Sequence, residues 1–288
     1  MDRRVPTRLA RSVGACLPVL ALLIATGMGN ASAAPVPVNA RAAALAALKH
    51  LMIGEHGTDH AASGQTVLGG FGPKKVTSGN WSGYADDSGR SYTTVTAQWE
   101  EPAVTCPPQG DTMAAFWVGI DGYDSATVEQ DGSLAWCDSG TPYYYTWWEM
   151  EPRYPIEFVS GGVHPGDQIA ASVTKDGTKY TLKVTDTTTS GNSFTKYRSC
   201  AAKTCAGSSA EWIAEDPTRP DGKLYPLAHF TPWTVQGATV KTSSRSGTIS
   251  TFPDYFITMT AAPSTVLAKP GLLNHAGNSF TDTWLASG

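Results

Sequence analysis

The sequence lacks the motifs that mark the commonest hydrolytic and metal sites. It contains no Gly-x-Ser-x-Gly elbow, no His-Glu-x-x-His helix and no Cys-x-x-Cys pair. These absences argue against a nucleophilic serine of the α/β-hydrolase type and against the usual zinc sites. We therefore expect neither a metal ion nor a cofactor.

No apolar segment reaches the length of about 20 residues that a membrane-spanning helix needs. The clearest apolar run, at 16–26, follows four arginines and precedes a small-residue cleavage site at 31–33. This three-part pattern predicts that residues 1–34 are a secretory signal peptide, and that the mature protein is extracellular and has no membrane attachment. The pair Arg3-Arg4 leaves a twin-arginine export signal open as an alternative.

Positive charge is scarce in the part of the chain that follows. From Val76 onward, 13 Lys and Arg stand against 22 Asp and Glu, a formal charge of −9. Proteins that bind nucleic acid need clustered positive charge to neutralise phosphates, so this balance argues against a nucleic-acid partner. It also suits a protein that stays soluble where many carboxyls are protonated.

Removal of the signal would leave four cysteines, Cys106, Cys137, Cys200 and Cys205. An even number in an exported chain predicts disulfides rather than free thiols. Four cysteines permit three pairings. The short spacing favours a bond between Cys200 and Cys205, which leaves Cys106 to pair with Cys137.

Two regions of different composition follow the signal. Residues 35–75 begin with an Ala-rich stretch of helical character at 39–53 and continue with Gly, His and Ser. We interpret them as a propeptide or a flexible linker. Either a basic segment covers an acidic site until low pH releases it, or the segment is a disordered spacer.

Residues 76–288 predict a single all-β domain. Short alternating runs rich in Thr, Val, Tyr and Trp recur between turn residues, for example at 92–99, 168–173, 180–185 and 248–260. Such runs predict strands, and this number of residues fits one antiparallel sandwich or barrel. Asp176-Gly177 between two of them predicts a hairpin turn.

Three of the predicted strands carry polar residues among apolar ones. The two-residue period of a strand puts Gln130 on the face of Ala126 and Val128. Glu215 and Glu149 are likewise flanked by apolar or aromatic residues on their own faces. Carboxylates on strands are commonly just solvated. Two other readings stay open: a glycosidase or carbohydrate-binding sandwich that uses Glu149 and Glu215, and a non-catalytic binding module.

Six ordered blocks are more specific than any single residue. They are Asn80-Trp81-Ser82-Gly83-Tyr84, Pro102, Phe116-Trp117-Val118-Gly119-Ile120-Asp121-Gly122, Gln130 with Gly132, Trp147-Trp148-Glu149-Met150-Glu151-Pro152, and Ala210-Glu211-Trp212-Ile213-Ala214-Glu215-Asp216. In this order, over about residues 78–240, they resemble the glutamic peptidase family, the eqolisins. The resemblance implies a β-sandwich of two antiparallel sheets, concanavalin-like or jelly-roll-like, with the cleft on a concave face.

The resemblance also implies a function and a site. The chain is expected to be a monomeric endopeptidase that acts on proteins or peptides in acid solution. Gln130 and Glu215 match the catalytic pair of the family. Four further residues match positions that line or support the substrate cleft, namely Trp81, Trp117, Asp121 and Glu149.

Glutamate and glutamine together can hydrolyse an amide. An ionised Glu215 can take a proton from the attacking water and return it to the leaving nitrogen. The Gln130 amide can donate an N–H to the developing oxyanion and orient the water with its carbonyl. Because the carboxyl of a free glutamate has a pKa of about 4.3, this chemistry is expected well below neutral pH.

Overall fold

A computed structural model describes residues 38–52, 73–88, 91–159, 162–200, 205–261 and 264–288. The predicted signal peptide lies outside these residues. One helix, α1 (Val38–Met52), falls where the Ala-rich stretch predicts one. Within the described ranges, no helix combines the length and the apolar character needed to cross a membrane.

The rest of the described chain consists mainly of strands, with two 3₁₀ turns at Ser190–Asn192 and Ile249–Thr251. The strands are β1 (Lys74–Ser78), β2 (Trp81–Asp87), β3 (Tyr92–Glu100), β4 (Val104–Thr105), β5 (Asp111–Ile120), β6 (Val128–Asp138), β7 (Thr141–Glu151), β8 (Tyr154–Val159), β9 (Gln168–Asp176), β10 (Lys179–Asp186), β11 (Phe194–Ser199), β12 (Ser209–Glu215), β13 (His229–Phe230), β14 (Trp233–Thr242), β15 (Ser246–Gly247), β16 (Asp254–Ala261), β17 (Thr265–Pro270) and β18 (Phe280–Trp284).

The strands form two layers. The first has the order β11-β10-β9-β3-β14, and the second has the order β17-β16-β2-β12-β5-β6-β7-β8. Strand β18 pairs with both β14 and β17, so hydrogen bonding continues from one layer to the other. Pairing is antiparallel along this path, and β1 adds to β16 in parallel. The predicted antiparallel sandwich in a single all-β domain is confirmed.

The alternation of side chains explains how the layers pack. Along β10, Tyr180, Leu182 and Val184 are buried, and they meet Val118 and Trp212 of the second layer in the core between the layers. The central strands of the second layer are buried on both faces. A second apolar cluster covers their outer face, together with side chains of α1. We call this outer face the site face.

Of the predictions about local structure, one turn is confirmed and two strand boundaries are wrong. The hairpin at Asp176-Gly177 is confirmed, with β9 and β10 joined there and Gly177 at a φ of 59°. The predicted strand at 248–260 begins instead with the 3₁₀ turn Ile249–Thr251. Strand β6 begins at Val128, so the prediction that Ala126 belongs to it is wrong.

Both predicted disulfide pairings are present. Cys106 bonds to Cys137 with an S–S distance of 1.99 Å, which ties the loop after β4 to β6. Cys200 bonds to Cys205 after the end of β11.

Many carboxyl groups are buried in this fold. Loss of solvation raises the pKa of Glu101 to about 8, that of Glu129 to about 9 and that of Asp282 to about 7. Burial also raises the pKa of Asp86 and Asp131 well above the ordinary value. Such a group stabilises the fold fully below its unfolded pKa, near 4, and this contribution is lost as the pH rises through the folded pKa.

We therefore expect the free energy of unfolding to fall between about pH 4 and pH 8. Glu101→Gln should weaken this fall by up to about 1.4 kcal/mol per pH unit, because glutamine has the shape of the protonated acid but no proton to lose. Urea unfolding at a series of pH values measures the effect. The exposed neighbour provides the control Glu100→Gln, and equal pH slopes in the two variants would contradict the prediction.

Candidate active site

Gln130 and Glu215 point to the same face of the second layer. Glu215 on β12 is paired with Ala115 of β5, and Gln130 on β6 is paired with Gly119 of the same strand. Ala115 and Gly119 are four positions apart on β5, so they share a face. Two side chains that are remote in sequence therefore emerge on the site face with β5 between their strands.

Trp117 lies between these two positions on β5. Its indole Nε1 donates a hydrogen bond to Glu215 Oε2 at 2.8 Å. The six-membered part of its ring lies over Gly119, where an added Cβ would be 2.8 Å from Trp117 Cζ3 and 3.4 Å from Gln130 Cβ. The missing side chain at 119 thus makes room for the ring that links the surroundings of Glu215 and Gln130.

The Glu215 carboxylate receives one N–H donor on each oxygen. Trp117 bonds Oε2, and Asn80 Nδ2 bonds Oε1 at 3.3 Å. The next residue, Asp216, is buried, and its pKa is raised well above the ordinary value first by burial and then by the charge of Glu215. Asp216 is therefore neutral in acid solution, while Glu215 is held by donors that favour a charged acceptor.

Gln130 is held from the other side by Glu149. The two residues are directly opposite on β6 and β7, and Gln130 Nε2 donates to Glu149 Oε2 at 2.8 Å. Gln130 is only 5% exposed, and its Oε1 has no hydrogen-bond partner among the described residues. A buried carbonyl oxygen of this kind marks a place for a water molecule or a polar ligand atom.

Trp81 and Asp121, two other residues predicted for the site, have different surroundings. Trp81 is paired with Glu215 across β2 and β12, and its ring packs edge-on against Trp117 at 5.0 Å. The Asp121 carboxylate accepts the backbone N–H groups of Gly207 and Ser208 at 2.8 and 2.7 Å. Trp81 therefore lies beside the pair, while Asp121 supports the site by anchoring the segment that leads into β12.

Helix α1 packs on the site face. Ala44 and Leu48 are buried in the cluster that contains Trp81, Trp117 and Trp147, and Leu48 is fully buried. The Ala-rich stretch predicts a helix, but the sequence does not show which surface of the protein that helix packs against.

Hydrogen bonds fix both ends of α1. Near its start, the Tyr145 hydroxyl donates to the Arg41 carbonyl oxygen at 3.3 Å. Near its end, the Tyr225 hydroxyl donates to the Leu51 carbonyl oxygen at 3.2 Å. Tyr145 lies on β7 across from Leu134 of β6. The helix is thus attached to the same layer that carries Gln130 and Glu215.

The arrangement provides a carboxylate, an amide and an apolar surround on one face. In the described ranges, no group of three or more His, Cys, Asp or Glu side chains is placed to hold a metal ion. A carboxylate with fixed donors can act as a general base on water, and a preorganised amide can stabilise developing charge.

Comparison with known proteins gives a family match and a set of similar folds. The model of the Peptidase A4 family matches residues 79–271. Scytalido-glutamic peptidase, solved with a transition-state analogue inhibitor, is 21% identical with a TM-score of 0.61, covering 72% of this chain and 98% of its own. SCP-B, described as a member of the Eqolisin family and solved with the tripeptide Ala-Ile-His, is 20% identical with a TM-score of 0.59 over 72% of this chain and 98% of its own.

A third similar structure is the aspergilloglutamic peptidase from Aspergillus niger. It is 25% identical with a TM-score of 0.53, covering 60% of this chain and 99% of its own. A comparison with curated proteins found no match.

The packing at Gly119 leads to a stability prediction. We expect Gly119→Ala to lower the free energy of unfolding by about 1–3 kcal/mol, because the added methyl would press on the Trp117 ring. Urea unfolding measures the loss. Gly191→Ala is the control, since a Cβ there would meet no atom within 4 Å; losses of similar size in both variants would contradict the prediction.

Proposed function

Because the chain belongs to the Peptidase A4 family and is therefore a peptidase of the glutamic class, we propose that Gln130 and Glu215 form its catalytic dyad. One observation carries the proposal: both side chains emerge on the site face, and the ring of Trp117, which is bonded to Glu215, lies over Gly119, the residue paired with Gln130. The substrates are proteins or peptides, cut in acid solution.

The geometry supports a role for each atom. Glu215 removes a proton from water as the water oxygen attacks the peptide carbonyl carbon, and the protonated acid then gives that proton to the leaving nitrogen as the C–N bond breaks. The Gln130 amide nitrogen has two hydrogens. One is directed to Glu149, and the second serves the developing oxyanion, while Oε1 orients the water.

Acid conditions suit both the chemistry and the fold. The dyad needs a carboxyl that both accepts and releases a proton, and the buried carboxyls are most favourable to folding when protonated. In this proposal the enzyme is a monomer that works in acid solution outside the cell, after residues 1–34 have been removed.

A test compares substitutions of the dyad in enzyme from which the segment before Lys74 has been removed by an unrelated protease. We expect Glu215→Gln to abolish cleavage of a denatured protein at pH 3 to 4, about where a free glutamate titrates. Gln130→Ala should slow cleavage by roughly 10² to 10³, the usual effect of losing an oxyanion donor. Fragments are quantified by electrophoresis.

Matched controls are two exposed residues, in the variants Gln236→Ala and Glu100→Gln, which should cut at the wild-type rate. A fully active Gln130→Ala variant would refute the dyad. If that variant kept its activity on glycans while Glu149→Gln and Glu215→Gln lost theirs, the alternative glycosidase reading would gain support.

Residues 35–75 act in this proposal as a propeptide rather than a spacer. Leu48 inserts into the aromatic cluster of the site face, and the hydrogen bonds from Tyr145 and Tyr225 hold the helix across that face. A peptide substrate needs the same apolar surface. The helix and the substrate therefore exclude each other.

A histidine contacts the start of α1. Arg41 Nη2 lies 2.7 Å from His164 Nε2, and His164 Nδ1 lies 3.4 Å from Asp167 Oδ2. The Asp167 carboxylate favours the proton on Nδ1, which leaves the Nε2 lone pair to accept from Arg41. The start of α1 is thereby attached to the segment that leads into β9.

Leu48→Asp tests the propeptide role. We expect the uncleaved precursor of this variant to hydrolyse a short peptide at least about 10-fold faster than the wild-type precursor, because a charged side chain cannot stay in the apolar cluster. Initial rates before any processing measure the effect. Ala47→Asp, on the exposed side of α1, is the control; equal rates in the wild type and Leu48→Asp would refute the role.

A further inference from the structure

Asn80 is a buried polar residue to which the family pattern gave no role. It lies in the turn between β1 and β2 and is 2% exposed. Its Nδ2 donates to Glu215 Oε1 at 3.3 Å. Because Asn80 lies in a turn, strand alternation predicts nothing about its side chain, although it begins the first of the ordered blocks.

Ser78 fixes the orientation of the Asn80 amide. The Ser78 hydroxyl donates to Asn80 Oδ1 at 3.2 Å, and it accepts the backbone N–H groups of Asn80 and Trp81 at 3.3 and 3.1 Å. One donated and two accepted bonds use the full capacity of a hydroxyl group. Because Oδ1 is bonded to Ser78, the amide presents its N–H rather than its carbonyl to Glu215.

The main chain of the turn is also tied to β12. The backbone N–H of Asp216 donates to the Asn80 carbonyl oxygen at 2.8 Å. Asn80 is thereby connected to the end of β12 by its backbone and by its side chain. The distance between the Asn80 amide and the Glu215 carboxylate is therefore set by the pairing of β2 with β12, in which Glu215 is opposite Trp81.

The groups around Glu215 determine how the N–H donor of Asn80 affects the ionisation of its carboxyl. Hydrogen bonds from neutral N–H groups favour the ionised form of a carboxyl. The residue after β12 is Asp216, whose burial keeps it protonated in acid solution, and on β12 itself burial raises the pKa of Glu211 well above its ordinary value. The groups that bond to the carboxylate from the β1–β2 turn and from β5 are the uncharged Asn80 and Trp117.

We propose that Asn80, oriented by Ser78, is a positioning residue that holds the Glu215 carboxylate in its reactive orientation and favours its ionised form at the acid pH of catalysis. This inference rests on the proposed function of Glu215 as the general base. It adds to the dyad a requirement for a donor at residue 80.

The test is the pH dependence of kcat/KM for a peptide substrate, measured on enzyme freed of its N-terminal segment. Asn80→Ala should move the acid limb up by about one pH unit, as expected for the loss of a hydrogen bond to a charged group. Asn80→Asp should move it further, because a carboxyl replaces the donor. Ser78→Ala should give a smaller shift in the same direction, with KM changed less than about 2-fold in each variant.

Asn192→Ala is the matched control. Asn192 is also buried, but its Nδ2 bonds to the Gly162 carbonyl oxygen and to Asp186, so its loss should reduce stability without moving the acid limb. Unshifted limbs in both Asn80→Ala and Ser78→Ala would overturn the inference, as would activity lowered equally at every pH. Should Asn80→Ala fail to fold, Ser78→Ala decides alone.

The dyad and the positioning role fail in different ways. If Glu215→Gln cuts peptides at the wild-type rate, the dyad is wrong, and the role of Asn80 falls with it. If Glu215→Gln is inactive but the acid limb of Asn80→Ala is unmoved, the dyad survives and only the inference about Asn80 is refuted.

Discussion

The pairing register of β12, β5, β6 and β7 is the constraint on which the site depends. A slip of one residue along any of these strands would turn its side chains to the opposite face. Two glycines make this register specific. Gly132 sits where a Cβ would collide with the Phe116 carbonyl oxygen, and Gly119 leaves the space that the Trp117 ring fills. Close backbone approach and one well-placed indole thus bring an amide and a carboxylate to one face.

Two kinds of carboxyl group in this molecule have opposite surroundings. Buried carboxyls such as Glu101 and Glu129 are accommodated as neutral acids, since burying an unpaired charge is expensive. The Glu215 carboxyl, the proposed general base, has the opposite surroundings, with an N–H donor on each oxygen. One solution pH can therefore satisfy both only when it is low enough to protonate the former and high enough to ionise Glu215.

Much of this architecture was predictable because it depends on local pattern. Alternation located several of the strands, an Asp-Gly pair located the β9–β10 turn, and cysteine spacing gave both disulfides. Alternation also placed Glu215 on the face of Ile213, as the register shows. It failed at Ala126, because the positive φ of 68° at Asp121 and 109° at Gly122 starts an irregular loop that delays β6 until Val128.

The remaining features depend on contacts between distant segments, which no periodicity reports. The hydrogen bond from Asn80 forms only because a turn meets the end of a strand that comes much later in the chain. The position of α1 likewise depends on which aromatic residues share the site face.

The apolar character of that face bears on both proposed roles, substrate binding and inhibition by α1. Trp81, Trp117 and Trp147 form a surface that water solvates poorly, and burying apolar area contributes roughly 25 cal/mol per Å². Leu48 of α1 is buried in the same apolar cluster. Under the proposed propeptide role, removal of the helix makes the same gain in free energy available to an apolar peptide. Changes that enlarge the aromatic surface should therefore strengthen both substrate binding and the proposed inhibition by α1, because both would bury the same apolar area.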